Sequence, residues 1–84
     1  MARHKARQRG AYRPEAATEL ARIEKRRLEL DISRAELAGR VGLTERTVSN
    51  MFRDGRAFPR HTRALSFALR TIERERQAEQ ESLR

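Results

Sequence analysis

The sequence predicts an all-α protein, a small bundle of about four to five helices. Three observations predict it. Residues 34–53, RAELAGRVGLTERTVSNMFR, read as two short helices joined by a tight turn. Apolar residues before and after that stretch recur every three to four positions, the spacing of one helix face. Pro14 and Pro59 sit where a first helical residue tolerates a missing N–H.

Residues 1–13, MARHKARQRGAYR, carry Arg3, Lys5, Arg7, Arg9 and Arg13 and no acid. Basic and aperiodic, they are expected to form a flexible arm that tracks a nucleic-acid backbone or enters a minor groove. The first helix is expected from Pro14, with Glu15 and Glu19 at the positive end of its dipole. Ala16, Leu20, Ile23 and Leu30 form its inner stripe, interrupted by Arg27, whose aliphatic stem can lie along the core. Lys25-Arg26-Arg27 reads as solvated surface. Asp31-Ile32 makes the turn, with Ile32 dipping into the core.

Ser33 is the expected N-cap of the next helix, with Glu36 at the capping-box spacing. Leu37, Ala38 and Val41 form its buried stripe. Gly42 closes it in a left-handed conformation, and Leu43 plugs the turn. Thr44 caps the following helix, whose inner face is Val48, Met51 and Phe52 and whose end is Asp54-Gly55. Phe58 is expected to plug the core and Pro59 to start a last helix. Leu65, Ala68, Leu69 and Ile72 share one face of that helix, and His61 lies at its start as a helix-start or phosphate-contacting residue. Phe67 falls almost opposite Leu65 and Leu69. Past Ile72 the sequence is polar and reads as a fraying helical tail, with too few apolar residues for a coiled-coil seam.

These elements divide the chain into an arm (1–13), one domain (14–72) and a charged tail (73–84). The chemistry lies in 34–53. Two helices that cross steeply need a small residue at the contact, which is Ala38, and positive φ at the corner, which is Gly42. The outer side of the second helix then carries Glu45, Arg46, Ser49, Asn50 and Arg53, all able to hydrogen-bond a base edge or a phosphate. A solvated αα-hairpin is the plainer alternative. The joint fit of the small, corner and apolar positions favours a helix-turn-helix with a cationic recognition helix.

Charge agrees. The net charge of +8, from 20 basic and 12 acidic residues, calls for a polyanionic partner. Most of the basic residues are arginine, the better group for bidentate contact with phosphate and guanine. From residue 46 to residue 72, Arg46, Arg53, Arg56, Arg60, Arg63 and Arg70 oppose only Asp54. With no cysteine, disulfides and thiolate metal sites are excluded. No membrane partner, metal or cofactor is expected, and a cytoplasmic, nucleoid-associated location is. No nucleophile–base pair and no carboxylate cluster with metal spacing argues for an enzyme.

Residues 32–52 resemble the phage Cro/cI-type (XRE-like) helix-turn-helix regulators, whose fold is lambda-repressor-like. The resemblance rests on Ser33, Glu36, Leu37, Ala38 and Gly42, then Thr44, Thr47, Val48 and Ser49, and extends over roughly residues 15–72 of the chain. It implies that Arg34 touches a phosphate and braces the start of the recognition helix. It implies that Glu45, Arg46 and Asn50, with Ser49 beside them, meet bases: Arg46 suits guanine, Asn50 adenine and Glu45 cytosine N4. Relatives often carry Gln or Ser at the Glu45 position. An acid so close to DNA needs a partner, and Arg34 is the expected one. Thr44, Thr47, Arg53, Arg56 and Arg60 are expected at phosphates. The expected protein is therefore a homodimeric, autoregulatory repressor of a palindromic duplex operator, with Phe67 as its dimer contact. Its short helix-turn-helix and the Phe67-Ala68-Leu69 helix are similar to those of anti-CRISPR-associated autorepressors of mobile elements. An antitoxin, with the tail past Ile72 holding a toxin, is the alternative.

Overall fold

A computed structural model describes residues 15–83. The expectations placed on the basic arm and Pro14 lie outside the described residues. Four helices follow in order: α1 (Glu15–Leu30), α2 (Arg34–Arg40), α3 (Glu45–Asp54) and α4 (Pro59–Ser82). There is no strand among the described residues. The fold is the small all-α bundle that the periodicity predicts.

The four helix starts and ends that shape the middle of the chain have local causes. The Ser33 hydroxyl accepts the Glu36 N–H at 3.0 Å, and Thr44 accepts the Thr47 N–H at 3.1 Å. Both are side-chain N-caps that satisfy donors the first turn leaves orphaned. At the far end of α2, Gly42 takes φ +75° while Leu43 donates its N–H to the Ala38 carbonyl at 2.9 Å. This is the Schellman ending. At Gly55, φ is +66° and an added Cβ would stand 3.4 Å from Ala17 Cβ on α1. There the turn and the close approach of α1 both favour glycine.

The core gathers one face of each helix: Leu20, Ile23 and Leu30 from α1, Leu37 and Ala38 from α2, Val48 and Met51 from α3, and Leu65, Ala68, Leu69 and Ile72 from α4, with Ile32 between α1 and α2. Val41, Leu43, Phe52 and Ala57 pack on its edge. α1 and α2 each pack against both α3 and α4. Phe58 departs from expectation. It is 45% exposed, with Arg60 over its ring at 4.8 Å and His61 edge-on to it. It occupies the position before Pro59, whose extended backbone (φ −72°, ψ 145°) turns the ring away from the core.

α4 does not end at the core. It runs as one helix of 24 residues to Ser82, about 36 Å. Its middle is tied to the bundle by Glu73 to Arg26, by Glu75 to Arg40 at 2.9 Å, and by Arg76 donating to the Leu30 carbonyl. Residues 77–83 are all exposed.

Candidate nucleic-acid interface

The outer face of α3 is set by what its inner face buries. Val48 is fully buried and Met51 nearly so. At 100° per residue, anchoring those two turns Glu45, Arg46, Ser49, Asn50 and Arg53 away from the bundle. Glu45, Arg46 and Arg53 are exposed, and Ser49 and Asn50 are half-buried. Among the described residues Glu45 and Arg46 enter no ion pair. Arg46 thus presents its whole donor fork to the solvent in front of α3.

Arg34 behaves differently. Its guanidinium donates to Glu24 Oε2 at 3.0 Å and to Ser49 Oγ at 3.2 Å, and lies 5.0 Å from the centre of the Phe52 ring. One side chain at the start of α2 therefore touches α1 and, twice, α3. The expected pairing of Arg34 with Glu45 is not formed. Glu24 takes Arg34 instead, because α1 carries its carboxylate to hydrogen-bonding distance of the first residue of α2. Glu45 sits a full turn before Ser49, beyond that contact.

Glu24 is the hub of this cluster. Arg27 grips its carboxylate with two N–H groups, at 2.8 and 2.6 Å, and gives a third to the Ile32 carbonyl at 2.7 Å. Arg27 is thus more than a stem along the core, since its head locks the turn between α1 and α2. The hydrogen bonds from Arg27, and then those from Arg34, hold the Glu24 carboxyl down at about 2, against a partial burial that pushes it up. The sequence placed basic neighbours near Glu24, and its i,i+3 spacing to Arg27 is legible. The link to Arg34, ten residues on, needed the crossing of α1 and α2.

The remaining candidate phosphate ligands fall around α3. Thr44 and Thr47 face each other at 3.0 Å across the first turn, where the Thr44 hydroxyl also serves as the cap. Arg53 pairs with its neighbour Asp54 at 3.0 Å, both well exposed. Arg56 and Arg60 follow in the turn into α4, exposed, with Arg60 stacked on Phe58. Ser49 is the candidate base reader whose hydroxyl already has a partner in Arg34. Phe67 is 58% exposed on α4. It lies beside Arg40 and Val41 at the end of α2.

Two capped helices, a left-handed glycine corner, and an outward face of Glu, Arg, Ser and Asn make the geometry that inserts a helix into a major groove. Residues 34–54 fold as a helix-turn-helix. Residues 23–60 match the helix-turn-helix family model. No curated protein and no solved structure matches the chain. The matched segment runs from the middle of α1 to the start of α4 and contains Glu24, Arg34 and all of α3. This domain supports a DNA-binding transcriptional regulator. Among the described residues no three metal-ligating side chains come together, and no helix is long and apolar enough to cross a membrane.

Proposed function

We propose that this protein is a sequence-specific repressor that binds an inverted-repeat operator as a homodimer and occludes a promoter, its own included. Two copies would set their α3 helices in successive major grooves about 34 Å apart. Arg46, Asn50 and Glu45 read base edges. Arg53, Arg56 and Arg60 hold phosphates beyond the end of α3, and Thr44 and Thr47 do so at its start. Arg34 acts mainly through α3, by fixing Ser49 and Phe52, and keeps further N–H groups for a phosphate. The basic arm adds backbone contacts. The setting this implies is the cytoplasm and its nucleoid, in a mobile element of phage type.

One observation carries the reading. α3 spends its apolar side on the core and turns to solvent a polar side whose central cation, Arg46, has no ion-pair partner among the described residues. Selection from random duplexes, followed by titration, tests it. The selected sites should be palindromic. Arg46→Ala should weaken binding to them by about 1–3 kcal/mol, relax the preference at one base pair per half-site, and leave non-specific affinity nearly unchanged. Equal affinity for selected and random duplexes would overturn the proposal.

A further inference from the structure

We propose that the homodimer is built by α4 lying antiparallel against α4 of a second copy, offset so that Phe67 of each covers the partner's Ala78. The inference rests on the dimeric reading above and adds the surface and the register.

Three observations carry it. The first is the length of α4. Ten residues follow Ile72, the last core residue, and the stretch 77–83 is wholly exposed. A helical end that packs on nothing is marginal in water, and a neighbouring helix supplies the missing contact.

The second is the stripe opposite the core. Taking Leu65 and Ile72 as the inward direction, residues 64, 67, 71, 74, 78 and 81 fall along the outer side at alternating steps of three and four. They are Ala64, Phe67, Thr71, Arg74, Ala78 and Glu81. Only one is large and apolar, and its neighbours are small. A hollow of about 270 Å³ opens beside Phe67, between α2 and α4, lined by Val41, Ala64, Ala68 and Thr71 with Arg40 at its rim. A second helix can therefore approach closely on either side of the ring.

The third is charge. The first half of α4, 59–72, carries Arg60, Arg63 and Arg70 and no acid. The second half carries four carboxylates, of which Glu73 and Glu75 are already taken by Arg26 and Arg40. Glu79 and Glu81 are left at the projecting end, without an ion pair among the described residues. A parallel neighbour would set arginine against arginine. An antiparallel neighbour centred on Phe67 would do the same, with Arg60 beside the partner's Arg74 and Arg63 beside the partner's Arg70. Shifting the antiparallel pair so that 67 meets 78 brings Arg63 alongside the partner's Glu81, sets Arg70 between the partner's Arg74 and Glu75, and seats the ring over a methyl group. The two Arg63–Glu81 pairs and one aromatic anchor per copy then favour this register over the centred one, which offers arginine only arginine.

The chain has no cysteine, so disulfide trapping reads the register directly. In the full-length double variant Phe67→Cys/Ala78→Cys, mild oxidation should convert most of the protein to a covalent dimer, while either single variant should give little. Arg63→Glu should weaken dimerisation at least tenfold in light scattering, and Arg63→Glu/Glu81→Arg should restore it. If the wild type scatters as a dimer but the double-cysteine variant stays uncrosslinked and the charge swap does not rescue, the α4 surface is wrong and the dimeric reading stands. A wild type that remains monomeric at micromolar concentration, with or without operator DNA, overturns both.

Discussion

Arg34 and Arg46 lie on the two helices of the same motif, twelve residues apart, and the fold treats them in opposite ways. Arg34 is surrounded: a carboxylate from α1, a hydroxyl from α3 and an aromatic face share its guanidinium. Arg46 stands in solvent with no ion pair among the described residues. Both are cationic residues in a segment that resembles a DNA reader, so composition cannot separate them. What separates them is the position of α1, which passes by Arg34 and nowhere near Arg46. A cation held on three sides fixes geometry, whereas one held on none is available to a ligand.

Truncating each arginine should therefore affect different properties. Arg34→Ala strips Glu24 of one of its two cations, leaves Ser49 Oγ without its donor, and opens the edge of Phe52. It should destabilise the fold by about 2–3 kcal/mol, visible as a lower denaturant midpoint, and weaken operator binding as a consequence of α3 losing its orientation. Arg46→Ala should move stability by no more than about 0.5 kcal/mol, with its effect confined to binding. Equal stability losses in the two variants would erase the distinction.

Acid should dismantle the held arginine first. The Glu24 carboxyl lies at about 2 in the folded protein against an ordinary value of 4.5, mainly through the Arg27 hydrogen bonds and secondarily through Arg34. A carboxyl depressed in this way binds fewer protons when folded than when unfolded. Its contribution is therefore complete above the ordinary value and is lost as pH falls from about 4.5 to about 2. Glu24→Gln should be less stable than the wild type by about 1–2 kcal/mol at neutral pH, and the two should converge as pH is lowered through that window. Denaturant melts at several pH values measure this. A gap that persists unchanged at low pH would mean that the carboxylate's charge is not what holds Arg27 and Arg34.

Much of this was legible in the sequence, for reasons that can be named. Ser33, Thr44 and Gly42 announce helix ends because capping and positive φ depend on a residue and its immediate neighbours. The inner stripes of all four helices follow from spacing alone. Asp31 shows the limit of such signals. It closes α1 with φ +58°, with Ile32 donating to the Arg27 carbonyl and Asp31 to that of Leu28. That is the same ending Gly42 gives α2, carried out by a residue that does not advertise it, in a turn whose carbonyl Arg27 also binds. Phe58 misled because an aromatic beside a turn resembles a core plug, and only the extended backbone before Pro59 directs it outward. The Glu24–Arg34–Ser49 contact was not legible, since it joins three helices through residues whose spacing in sequence carries no periodicity.

The smallest expected effect concerns a cation between the two extremes. Arg53 is paired, but only with its exposed neighbour Asp54 at 3.0 Å. Such surface pairs contribute little, so Asp54→Asn should change stability by less than about 0.5 kcal/mol. If Arg53 meets a phosphate as proposed, the pair acts as competition, because Arg53 cannot give the same N–H to a phosphate while Asp54 holds it, and the carboxylate itself repels the backbone. Removing it should tighten binding to specific and random duplexes alike by a few-fold, most clearly at low salt, where exposed charges are least screened. Titrations of both duplexes across a salt series would test this. A gain restricted to the selected operator would instead place Arg53 beside the proposed base readers, Asn50 and Arg46.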